Sequence, residues 1–135
     1  MMDYLRDPSA IYEKSFAIIR GETDLSCLPV SAKAIAIRMI HACGMTDIAG
    51  DLRISEDFFA AATMALARPI LTDAEMLRHG IIDKSIQVTC TLNDPRAREI
   101  GISTQTTRSA ASVQLWEPHL EGALVVIGNA PTALF

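Results

Sequence analysis

The chain has no glycine-rich loop able to cradle phosphates, whether of the Walker type or the dinucleotide type, and it has neither a G-x-S-x-G elbow nor an H-E-x-x-H pair. Phosphoryl transfer, hydride transfer and zinc hydrolysis therefore lose their usual sequence support. Cysteine is scarce: Cys27, Cys43 and Cys90 are odd in number and far apart, which suits neither a paired zinc site nor a secreted disulfide scaffold. A reducing cytoplasm is the expectation. Apolar runs are short, none reaching the roughly eighteen residues of a membrane span, and the charged N-terminus lacks the apolar core of a signal peptide, so no membrane partner is expected. Positive charge is not in excess. A formal net charge of -4 argues against a general nucleic-acid surface, so any bound anion must be met by local cations.

What is present suits one globular domain spanning residues 1 to 135, half apolar and one fifth charged. "DPSAIYEKSFAIIRG" predicts a helix over residues 8–20, with Asp7 capping the free amides, Pro8 opening the first turn and Gly21 supplying a left-handed stop. Ile11, Ser15, Ile18 and Ile19 share one face of it, with Ser15 interrupting an apolar stripe. "SAKAIAIRMIHACG" predicts a second helix from an N-cap at Ser31 to a stop at Gly44, and a weaker third follows Ser55. Beyond it, "PILTDA", "SIQVTCT" and "ALVVIG" read as short strands separated by the helical patterns "DAEMLRHG" and "TRSAASVQLWEPHLEG". Strands alternating with helices mean a mostly parallel sheet covered by helices, an α/β fold. "LVVIG", apolar on both faces, reads as a central strand that needs a neighbour on each side, and because it lies close to Phe135 a partner or further sequence is expected to supply one of them. Pro131 is expected to open a further helix.

Ligands of such sheets gather at the carboxyl ends of the strands. Thr72 and Asp73 leave the first strand, Thr91, Asn93 and Asp94 the second, and Asn129 and Thr132 follow the third. Asp73 and Asp94 equally suit ordinary caps or turns. "TTRSAA" places Thr106, Thr107, Arg108 and Ser109 at a helix start, which describes an anion site with Arg108 clamping a carboxylate, or else an N-cap threonine followed by a solvated arginine. The sharpest candidate is His41. In "RMIHACGM" it stands in the last turn of its helix, where the dipole favours imidazolium, while Arg38 one turn away and any burial favour the neutral ring. Such opposed influences suit a group that gives and takes a proton near neutral pH, although a helix-end histidine also serves as a simple cap. His79 and His119 read as helix-end residues and Trp116 as core.

Taken in order, "SFAIIR", "RMIHACGM", "ILTDAEM", "TTRSAA" and "GNAPTALF" resemble the precorrin-8X methylmutase family, and the similarity covers nearly the whole chain. The resemblance implies a flavodoxin-like three-layer α/β/α fold with a mostly parallel sheet, lacking here its C-terminal strands, so that the domain is incomplete at that end. It implies a homodimer with the site near the subunit contact, and an isomerase that moves a methyl group between neighbouring carbons of a corrin precursor without a cofactor or metal. By motif, His41 would be the catalytic acid/base. Ser15 and Arg38 would contact the substrate, and Arg108 with Ser109 would hold its acidic side chains; Thr91, at the end of the second strand, is a further candidate substrate contact. The substrate would be precorrin-8X or cobalt-precorrin-8, giving hydrogenobyrinate or cobyrinate. The alternative is a truncated paralogue that binds a corrin or other tetrapyrrole without catalysis.

Overall fold

The computed structural model describes residues 5–135. The chain forms two compact units, residues 1–59 and 60–135, each described by itself below.

The first unit holds α1 (Pro8–Glu22), α2 (Val30–Cys43) and the short α3 (Ile48–Asp51). Asp7 caps α1 as expected, its carboxylate accepting from the Ala10 N–H at 2.7 Å, with Pro8 in the first turn. Gly21 does not stop the helix. The chain continues in α-conformation to Glu22 and leaves at an extended Thr23, whose N–H donates to the Ile19 carbonyl, so no left-handed residue is needed. The face of α1 differs too: Ile11 and Ile18 are exposed, whereas Phe16 and Ile19 pack inward. The stripe that meets α2 is Tyr12, Ser15, Phe16 and Ile19, one helical face at i, i+3, i+4 and i+7.

Helix α2 begins one residue before the expected cap. Pro29 precedes it with φ -54°, its carbonyl accepts from the Ala32 N–H, and Ser31 lies within the first turn. A proline pre-set near the helical φ makes a side-chain cap dispensable. The stop is at Gly44, as expected: φ is 73° and its N–H donates to the Ile40 carbonyl at 2.7 Å. This left-handed position favours glycine because a Cβ would crowd the backbone. Ala32, Ala36, Ile37 and Ile40 form the buried stripe of α2. Ile37 and Ile40 pack with Ile19 and Ala49, while Ala32 and Ala36 let Leu28, Leu52, Ile54 and Phe59 approach closely.

Helix α4 (Phe58–Ala65) carries the chain into the second unit, which contains β1 (Ile70–Thr72), α5 (Glu75–Gly80), β2 (Val88–Cys90), α6 (Pro95–Ser103), α7 (Arg108–Gln114) and β3 (Leu124–Val126). Short 3₁₀ turns occupy Glu117–His119 and Pro131–Leu134. The strands form a parallel sheet in the order β2-β1-β3, with Leu71 opposite Thr89 on one side and Val125 on the other. The α/β class and the parallel sheet are as expected. β1, buried at all three residues, takes both neighbours, while β3 lies at an edge of the described sheet with Val125 40% exposed. "LVVIG" thus has one of the two neighbours expected for a strand apolar on both faces.

Helix α6 was not anticipated, although it opens as α1 does. Asp94 caps it, accepting from the Arg96 N–H at 2.9 Å, and Pro95 takes the first turn. The Arg96 guanidinium closes on the same carboxylate at 2.7 Å. Hydrogen bonds from the Arg96 side chain and then its backbone, aided by its charge, hold Asp94 down at about 2 from the ordinary 3.8. The folded chain thus binds this proton less tightly than the unfolded one. The cap's contribution is present above roughly pH 4 and is lost as pH falls through about 2. An NMR titration should show the Asp94 carboxyl midpoint near 2 in the native protein and nearer the ordinary value in an Arg96→Ala variant; equal midpoints would refute the pairing.

Candidate active site

In the first unit, α1 and α2 bring together three of the residues singled out by sequence. His41 lies in the last turn of α2, and its Nδ1 is 2.8 Å from the Ser15 hydroxyl of α1. Phe16 meets the imidazole edge-on, at 5.3 Å between centroids and 89° between planes. Tyr12 lies over it at 5.1 Å with a 43° tilt. Arg38, one turn before His41, sets its guanidinium carbon 5.8 Å from the centre of the Phe16 ring, a cation–π approach that anchors the cation without neutralising it. His41 and Arg38 are both exposed. Among the described residues Nε2 has no hydrogen-bond partner, which leaves this nitrogen available for proton exchange with a ligand.

In the second unit, Thr91, Arg108 and Ser109 fall around α7. The Thr91 hydroxyl donates to the Ser112 carbonyl at 2.8 Å, tying the end of β2 to α7, so its proton is already committed. Thr107 is the N-cap, its hydroxyl accepting from the Ala110 N–H and lying 3.1 Å from the Thr132 hydroxyl. Arg108 is exposed on the first turn of α7 and borders a depression of about 200 Å³ with Arg98, Thr106 and Gly101. Arg98 is a second cation on this hollow that sequence reasoning missed; its signal was only its place four residues after the "DP" cap of α6. Ser109 is half-buried, and its carbonyl accepts from the Ser112 hydroxyl. On the other side of α7, a groove of about 690 Å³ is lined by Ala110, Val113, Gln114, Leu120 and Thr132 among others.

Asp73, anticipated as a ligand contact, a cap or a turn, does something else. Buried at the end of β1, its carboxylate accepts from three successive backbone N–H groups: Gly128 at 3.2 Å, Asn129 at 3.1 Å and Ala130 at 2.8 Å. It therefore fixes the loop that follows β3. Cys90 on β2 has its thiol pushed up by burial, which disfavours the reactive thiolate. Among the described residues no group of three or more His, Cys, Asp or Glu is placed to hold a metal, and no helix is long and apolar enough to cross a membrane.

The sequence profile described as precorrin-8X methylmutase matches residues 10–135. The chain belongs to the precorrin-8X methylmutase family. It is 48% identical over 139 aligned residues to the precorrin-8X methylmutase of Sinorhizobium sp, covering 98% of this chain and 66% of that one. Against the Pseudomonas aeruginosa precorrin-8X methylmutase it is 46% identical, covering 100% and 68%. A solved precorrin-8X methylmutase related protein superposes with a TM-score of 0.79 at 35% identity, over 89% of this chain and 66% of that structure. The chain thus spans about two thirds of the length of the methylmutases it matches. The Ser15–His41 pair and the β1 end at Asp73 both lie within the matched region.

Proposed function

We propose that this protein is a methylmutase that rearranges precorrin-8X, or its cobalt-bearing equivalent, by moving a methyl group between adjacent ring carbons. The observation that carries the proposal is the Ser15–His41 pair: an imidazole held at Nδ1 with Nε2 open, in a chain of this family. To lend a proton at Nε2 the ring must enter as the imidazolium, whose two nitrogens both donate, so Nδ1–H donates to the Ser15 oxygen in the competent state. His41 then gives its Nε2 proton to the conjugated macrocycle and is left as the neutral ring with its remaining proton on Nδ1. The positive charge gained weakens the bond holding the methyl group, which shifts to the neighbouring carbon with its bonding pair, and the product returns the proton to Nε2. No atom is gained and no electron leaves, so the reaction requires no redox cofactor.

Arg38, with Arg108 and Ser109, would meet the acidic side chains of the substrate, since a guanidinium binds carboxylates through two parallel hydrogen bonds. Thr91 can add only acceptor capacity, its proton being given to Ser112. We place the enzyme in the cytoplasm as a homodimer.

The test is incubation with precorrin-8X, followed by the absorption spectrum of the rearranged corrin. An unchanged spectrum at high protein concentration would overturn the proposal, and affinity for the product without turnover would favour a carrier. A Ser15→Ala variant should lose about tenfold in kcat with little change in KM, because the imidazole keeps its place but not its preferred tautomer. Equal losses in kcat and affinity would instead make Ser15 a substrate contact.

A further inference from the structure

Tyr12 remains unexplained by folding or by the roles above. It is 53% exposed, it does not join the core that Phe16 supports, and its ring contacts are with His41 and Phe16. The Tyr12 and Phe16 rings meet each other edge-on at 5.9 Å, so α1 presents a connected aromatic corner, and the imidazole of His41 sits in it. An exposed histidine near a helix end, held by one hydrogen bond, is otherwise free to turn about its outer torsion. That rotation exchanges Nδ1 for a ring carbon opposite Ser15 and turns Nε2 away.

We propose that Tyr12 is a positioning residue for His41. Its ring closes a side of the imidazole that Ser15 and Phe16 leave open and holds the ring in the orientation that keeps Nδ1 on Ser15. The inference rests on His41 being the proton carrier, but it also makes a claim about the resting protein. The ring acts here and not the hydroxyl: the approach is between ring centroids, and among the described residues the phenol oxygen has no hydrogen-bond partner. Phe16 shares the geometry but also packs against the core cluster of Ile19, Ile37, Ile40 and Ala49, so only Tyr12 separates positioning from stability.

The test combines kinetics with side-chain ¹⁵N NMR of His41 in the full chain without substrate. Tyr12→Phe should keep kcat within about twofold and retain a single imidazole tautomer. Tyr12→Leu should lower kcat about tenfold with KM nearly unchanged, as expected when a reacting group loses its fixed orientation. Its two nitrogen signals should move toward the averaged values of mixed tautomers. Should Tyr12→Leu melt early, Tyr12→Met, flexible and unbranched, replaces it. A Tyr12→Leu protein with wild-type nitrogen shifts would overturn the proposal, as would a large loss in Tyr12→Phe, which would mean that the hydroxyl meets the substrate. If instead His41→Ala retains turnover, the proton-carrier reading fails, and the nitrogen shifts still decide whether Tyr12 orders the ring.

Discussion

A His41→Ala variant should convert precorrin-8X about 10²- to 10⁴-fold more slowly than the parent, the range expected when a general acid is removed from its transition state. Binding of the corrin product should change little, because the proton moves only during rearrangement and an interaction made only then does not contribute to ground-state affinity. Stability should also hold. His41 is exposed, lies outside the Ile19, Ile37, Ile40 and Ala49 cluster, and makes one exposed hydrogen bond to Ser15, worth about 1 kcal/mol at most in such a setting. The measurements are single-turnover absorbance for the rearrangement and a fluorescence or absorbance titration for binding. Parallel losses in the two would assign His41 to anchoring and remove it from proton transfer.

The second large effect should come from a residue with no role in the chemistry. Asp73→Ala removes the acceptor of the Gly128, Asn129 and Ala130 N–H groups in a position only 1% exposed. Ala130 is buried, and a buried donor left unpaired costs about 1–3 kcal/mol, while Gly128 and Asn129 are exposed and their amides can turn to water, so the loss should be about 2 kcal/mol, a sizeable part of an ordinary domain's stability. Asp73→Asn keeps the shape but turns an NH₂ group toward backbone donors, and should cost about half as much. Urea unfolding of the two variants against the parent checks both values. A shift below about 1 kcal/mol for Asp73→Ala would show that the loop after β3 holds itself. The consequence reaches α7, because the same loop leads into the Pro131–Leu134 turn, where Thr132 meets the Thr107 cap.

Local chemistry was legible wherever a few adjacent residues decide the outcome. Asp7 with Pro8 opened α1, Gly44 closed α2, and the β-branched runs around Ile70, Val88 and Leu124 formed the strands. The same Asp-Pro signal at 94–95 opens α6, so that helix was readable and was missed. Gly21 and Ser31 misled because each has a strong terminal preference that its surroundings did not call upon: α1 ran on to Thr23, and Pro29 had already set the entry to α2.

By itself, the sequence determined the α/β class, the parallel sheet, the start of α1, the stop of α2 and, through its motifs, the family. It also set His41 and Arg38 one turn apart, since a helical repeat is a property of neighbours in the chain. Only the tertiary structure decided that β1 takes the centre of the described sheet, that Asp73 binds three amides more than fifty positions away, and that Tyr12, Ser15 and Phe16 of α1 meet His41. Each of these depends on which surfaces meet when separate elements pack, and no local pattern specifies the partner across the contact.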